Sequence, residues 1–142
     1  MNYQFEKAVD LFEPAPKLIS PQVHRWIDIA AASAFAVVGG LFLGRGSGRA
    51  ATAAFINGAT AAGVSLFTDY DGDGAKPISF KIHGFLDLVL AATAASEPLL
   101  FGFPGDGEAA FFYASGPGVV GVVAMTDWNA TDRKAQRAEQ AA

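Results

Sequence analysis

The stretch Ile19-Ser20-Pro21-Gln22-Val23-His24-Arg25-Trp26-Ile27-Asp28 returns in altered form as Ile78-Ser79-Phe80-Lys81-Ile82-His83-Gly84-Phe85-Leu86-Asp87. Both read I-S-x3-H-x3-D, and the chain's two histidines occupy the same position in each. The correspondence continues outward. Asn57-Gly58 aligns with Ser115-Gly116, Gly63-Val64 with Gly121-Val122, and Thr68-Asp69-Tyr70 with Thr126-Asp127-Trp128, at an offset of 58 or 59 throughout. An internal repeat sets the architecture before any single motif does. The alignment predicts one helical hairpin used twice, residues 19–70 forming the first copy and 78–128 the second. Ser20 and Ser79 read as N-caps, with Pro21 at the favoured first helical position.

Around these motifs lie four stretches nearly free of charge: Ile29–Gly44, Ala50–Thr68, Ile82–Phe103 (interrupted by Asp87 and Glu97) and Ala109–Thr126. Each is close to the roughly 17–25 residues that cross a hydrocarbon core as a helix. None carries the one-sided apolar stripe of a helix on the surface of a soluble bundle, and four helices cannot all be interior. Of 142 residues, 51% are hydrophobic and 17% charged, against about 25% charged in an ordinary soluble domain. The fold class expected is therefore all-α: an integral-membrane four-helix bundle built from two tandem transmembrane hairpins. Small-x3-small spacings such as Gly40/Gly44 and Ala59/Gly63 suit close helix packing in lipid. Two spans per copy give both copies the same orientation, related by an axis along the membrane normal.

Lys7, Lys17, Arg25, Lys76, Lys81, Arg133, Lys134 and Arg137 fall on one side of this topology, and only Arg45 and Arg49 on the other. The positive-inside rule then puts both termini in the cytoplasm. No basic n-region with a short apolar run and cleavage site opens the chain, so no signal peptide is expected. Phe5, Ala8, Val9 and Phe12 share one helical face, which predicts a short helix over 3–12, lying on the headgroups or packed on the protein. The tail 129–142 is polar and helix-prone. Zero cysteines exclude a disulfide framework, a thiol nucleophile and Cys-ligated zinc or iron–sulfur. A net charge of −4 without a basic cluster argues against nucleic acid as partner.

In the second half, Leu86-Asp87-Leu88-Val89-Leu90 leads to Ser96-Glu97-Pro98-Leu99-Leu100-Phe101-Gly102-Phe103, which resembles the SPW repeat of small bacterial membrane proteins. That resemblance implies paired helices per repeat and a bacterial inner-membrane location. It implies no activity. Glu97 separates Ser96 from Pro98, leucine stands where that repeat has tryptophan, and the first half has Gly39-Gly40-Leu41 at the equivalent place.

The topology brings His24, Asp28, Asp69, His83, Asp87 and Asp127 to one level at the cytoplasmic face. His24/Asp28 and His83/Asp87 are each four apart on one helix face. Asp69 and Asp127 fall at helix C-termini, where the macrodipole disfavours an anion and some compensation is required. One reading makes these six residues a transition-metal site. Another makes His24 and His83 paired ligands of a haem. A third is a hydrogen-bonded ring that locks helix register. Asp69-x-Asp71-x-Asp73-Gly74 opens like a calcium loop, but Phe80 stands where the closing glutamate belongs, so a tight turn is expected there. Glu97 is either a glutamate at the outer end of its helix, just before Pro98, or a proton or ion ligand facing Asn57 or Ser115 across the bundle. No motif of a known catalytic set occurs. The leading functional expectation is a non-enzymatic accessory subunit or scaffold, associated with other membrane-protein subunits or with copies of itself. The alternative is a metal- or haem-binding membrane protein using the His/Asp ring.

Overall fold

The computed structural model describes residues 3–141. It is all-helical apart from two two-residue strands. In chain order it comprises α1 (Tyr3–Asp10), α2 (Pro21–Gly44), α3 (Gly48–Leu66), β1 (Thr68–Asp69), β2 (Ile78–Ser79), α4 (Phe80–Leu100), α5 (Ala109–Met125) and α6 (Ala130–Gln140). One helix, α2, is long and apolar enough to cross a membrane, and α5 is apolar but shorter.

The two long first helices start alike. Ser20 Oγ accepts from the Val23 amide and Ser79 Oγ from the Ile82 amide, each at 3.3 Å. Each cap satisfies one of the amides a helix start leaves unpaired. Helix α2 turns back into α3 through Gly46, whose φ of +82° suits a residue without a Cβ. Helix α4 ends in the same manner at Gly102, φ +74°.

Helix α2 packs along α3, and α4 along α5. Glycine sets the separation in both pairs. A Cβ on Gly58 would stand 2.9 Å from Phe35 Cβ and 3.2 Å from the Ala32 carbonyl; on Gly116 it would stand 3.0 Å from the Ala91 carbonyl. The hairpins are tied at one end by matching backbone pairs. β1 runs parallel to β2, Thr68 opposite Ile78, and Ile19 forms a parallel bridge with Thr126. The start of α4 is thereby fastened to the end of α3, and the start of α2 to the end of α5.

The core has two parts. At the loop end, Val9, Tyr70, Phe80, Val123 and Trp128 cluster. At the other, Phe35, Phe42, Phe103 and Phe112 pack with alanines of α3. The N-terminal helix is two residues shorter than its apolar spacing suggests, and it packs on the protein: Val9 is buried and reaches Gly84, and Phe5 meets Phe85 at 4.8 Å between ring centroids. The polar tail is anchored too. Lys81 pairs with Asp132 at 2.9 Å, Lys134 donates to the Asp71 carbonyl, and Thr131 lies against Gly72.

If Gly58 sets the α2–α3 distance, Gly58→Ala lowers stability by about 1–3 kcal/mol through overpacking. Gly63→Ala, with nothing within 4 Å of its Cβ, is neutral or gains up to about 1 kcal/mol from helix propensity. Thermal unfolding of both variants under the same conditions checks the contrast.

Candidate metal centre

The first turns of α2 and α4 deliver His24 and His83 to a shared point, and one turn further each helix adds an aspartate. His24 Nε2 lies 3.2 Å from His83 Nε2, 3.0 Å from Asp87 Oδ2 and 3.3 Å from Asp28 Oδ1. His83 Nε2 lies 3.1 Å from Asp28 Oδ2 and 3.3 Å from Asp87 Oδ2. Each helix's carboxylate thus meets both its own histidine and the one across the bundle. Both imidazoles are buried, and the aspartate side chains are 13% and 11% exposed.

The outer ring nitrogens fix the tautomers. Thr126 Oγ1 donates its one proton to the Val122 carbonyl at 2.7 Å, and Thr68 Oγ1 donates to that of Val64 at 2.7 Å. Each hydroxyl also contacts an imidazole Nδ1: Thr126 with His24 at 2.9 Å and Thr68 with His83 at 2.8 Å. Since the hydroxyl protons are committed, each Nδ1–H must donate to its threonine. A neutral imidazole then presents a bare lone pair at Nε2. Both Nε2 atoms and the two carboxylates converge on one spot.

The surroundings are aromatic. Trp128 and Phe80 meet His24 at centroid distances of 4.9 and 5.5 Å, and Tyr70 meets His83 at 5.4 Å. The Tyr70 hydroxyl donates to Asp28 Oδ2. Burial, and then the Asp28 carboxylate that holds its proton, push the Tyr70 phenol above its ordinary value, so it stays a donor.

The arrangement suits a divalent metal. A tetrahedral ion with arms of about 2.0–2.1 Å has ligand–ligand edges of about 3.3 Å. With one ligand atom taken from each residue, four of the six edges measure 3.0–3.3 Å, whichever Asp28 oxygen is used. One ligand atom from each of the four residues can be chosen so that all lie within 4.8 Å. A haem between the histidines does not fit. The macrocycle would need the space that the Asp28 and Asp87 carboxylates fill.

Of the six residues that the sequence assigns to a metal, His24, Asp28, His83 and Asp87 come together; Asp69 and Asp127 do not join them. Asp69 accepts the amides of Gly72 and Gly74 at 2.8 and 2.7 Å, with Asp73 at 3.4 Å. Burial alone would raise its carboxyl, but these amides outweigh burial and hold it below the usual carboxylate range. Its charge closes the loop through Gly72 and Gly74, both at positive φ. Asp127 is paired with Arg133. Those contacts supply the compensation that anions at helix C-termini require. Thr68, Thr126 and Tyr70 are the functional residues that the sequence reading passes over. The two threonines lie at the same repeat position, beside the aspartates that drew attention. Glu97 is buried, takes a hydrogen bond from Asn57 Nδ2 at 3.2 Å through Oε1, and leaves Oε2 without a partner among the described residues.

Asp69→Ala should loosen the 68–79 loop at neutral pH, seen as faster hydrogen exchange at the Gly72 and Gly74 amides. With its folded value depressed, Asp69 stabilises fully above the unfolded value of about 3.9 and stops doing so as pH falls through the folded one. The gap between wild type and variant should therefore close in acid.

Comparisons with protein-family models, curated proteins and solved structures find no match to this chain, so its functional reading rests on the geometry of the quartet.

Proposed function

We propose that this chain is a four-span membrane protein, formed by duplication of a helical hairpin, that holds one divalent transition-metal ion between His24, Asp28, His83 and Asp87. The observation that carries the metal reading is the convergence of two buried imidazole Nε2 atoms, each backed by a threonine at Nδ1, with two carboxylates at 3.0–3.3 Å. The donor set is two imidazoles and two carboxylates, which suits zinc best and iron(II), manganese or cobalt next. A doubly charged ion also offsets the two carboxylate charges that the fold brings together. A purely structural ring would instead need a solvent proton on each imidazole to donate to Asp28 and Asp87.

Two observations support the membrane setting. Large apolar side chains face outward along every long helix, among them Trp26, Val37 and Leu41 on α2, Ile56 on α3, Val89 on α4 and Val120 on α5. Exposed helix hydroxyls also satisfy themselves: Ser33, Thr52, Thr60, Thr93 and Ser96 each donate to the carbonyl four residues back. Lipid accepts hydroxyls bonded in this way, because they need no water. Duplication is supported by the repeated caps, glycines, Thr–His bonds and parallel pairs. With α2 and α4 starting at the basic end, both termini are cytoplasmic.

Protein purified in mild detergent, without chelator or histidine tag, should carry close to one metal ion per chain, and His24→Ala or His83→Ala should lose it. Absence of metal from protein that binds none on titration with zinc overturns the reading. Thr68→Val and Thr126→Val should keep the site but weaken it by about 10–100-fold, as loss of an orienting partner does. The topology has its own test, made simple by the absence of native cysteine. Single cysteines at Lys76 and Arg137 should be shielded from an impermeant thiol reagent in right-side-out vesicles, whereas cysteines at Ser47 and Gly105 should react.

A further inference from the structure

Beside the quartet lies a cavity of about 370 Å³ that the metal reading alone leaves unexplained. It sits where α2 faces α5. These helices are not packed closely along their length; they meet through Phe35 and Phe111, at 4.9 Å between ring centroids. Asp28, His83 and Asp87 form one end of the cavity, and Asn57 and Ser115 reach it further along the bundle. Its walls are apolar, with Ala31, Leu90, Ala94, Val119 and Val122 among them. From Asp87 to Ala94 is seven residues, or roughly 10 Å of helix. The mean cross-section is then about 35 Å², broad enough for a ring.

We infer that this cavity is a binding site for a small hydroxylated aromatic molecule of the phenol class, its oxygen directed at the His/Asp quartet and its ring held between α2 and α5. The inference rests on the metal reading for one of its two supports. The quartet end offers acceptors in the carboxylate oxygens of Asp28 and Asp87. Ser115 gives its proton to the Phe111 carbonyl at 2.7 Å, so it too presents lone pairs. A ketone or ether brings only another acceptor to those carboxylates. A phenol brings an O–H to the carboxylates and, where a metal is bound, an oxygen acidic enough to ligate it. An aliphatic alcohol does only the first. The apolar walls exclude a strongly charged molecule, because burying an unpaired charge there is costly. At about 370 Å³ the space is at the small end of ligand pockets, which run from about 300 to 1,000 Å³.

The test uses the full chain in nanodiscs, with metal counted in the same sample, and titrates 4-ethylphenol, ethylbenzene and decanoate by calorimetry. The expected result is saturable binding of one 4-ethylphenol per chain, at least tenfold tighter than ethylbenzene and undisturbed by decanoate. Gly118→Leu should abolish it with metal content and melting unchanged, since Gly118 lines the cavity and a Cβ there meets nothing within 4 Å. Ala31→Leu fills the same space from the opposite wall. Equal binding of ethylbenzene, displacement by decanoate, or full binding in both filled variants overturns the inference, the first two marking the cavity as a lipid-chain site. Metal-loaded protein without saturable 4-ethylphenol binding overturns the pocket and leaves the metal reading standing. Metal-free protein that binds no zinc but still takes 4-ethylphenol, and loses it in Asp28→Asn, overturns the metal reading and leaves the pocket standing.

Discussion

Each imidazole in this protein is held from behind by a threonine that has already spent its proton on a helix carbonyl. That constraint decides which nitrogen faces inward, and the character of the whole bundle interior follows from it. Had the threonines been free to accept or donate, each histidine could have turned a proton toward its carboxylate, and the quartet would be an ordinary hydrogen-bonded ring. With the tautomers fixed, the ring lacks protons of its own and needs a cation, either protons from solvent or a metal ion. The threonines reach the histidines because Thr68 pairs with Ile78 and Thr126 with Ile19. Short backbone ladders outside the helices therefore set the chemistry inside them.

The same ladders explain how so small a chain holds buried carboxylates. Residues of α2 and α4 that are four apart supply one histidine and one aspartate each, and the two helix starts are brought together by segments that end α5 and α3. Packing alone would leave the helices free to slide by a fraction of a turn. The backbone pairs remove that freedom, and Gly58 and Gly116 set the distance within each hairpin. Ion-pair energies are not needed to account for the fold. The apolar clusters at the two ends of the bundle supply it, and the quartet is accommodated between them.

Much of this was legible in the sequence. The I-S-x3-H-x3-D repeat put His24, Asp28, His83 and Asp87 at one level, because helical spacing of four is a local property and the caps that start both helices are local too. Charge and periodicity also separated the apolar helices from the polar tail. What could not be read was which of the neighbouring polar residues would turn inward. Asp69 and Asp127 looked like ligands by level alone, yet a carboxylate beside a glycine-rich loop or an arginine is satisfied there first. Thr68 and Thr126 stand in the sequence only as aligned repeat positions, and their bond to an imidazole depends on a contact with another helix. Helix α5 is apolar but short, and α4 falls short of a plain membrane-span profile for a related reason. Asp87 and Glu97 in α4 lower its hydropathy, and the structure turns both inward.

The two halves are alike at the quartet and unlike around it, and that difference locates the cavity. Two similar hairpins, related as proposed, would enclose two similar spaces, one between α3 and α4 and one between α2 and α5. The first is closed by contact between the helices, with Asn57 bonded to Glu97 across it. The second has no such pair: the place equivalent to Glu97 falls at Val38 or Gly39, and Asn57 is matched by Ser115, whose hydroxyl turns back on its own helix. A polar bridge joins one seam while aromatic rings prop the other. Tyr70 and Trp128 diverge in the same sense, one donating to Asp28 and the other to the Val123 carbonyl, so only Asp28 has a phenol donor. On the proposed reading, a site built symmetrically for a spherical ion has a single open flank, which would let a bound metal meet a second ligand from one direction only.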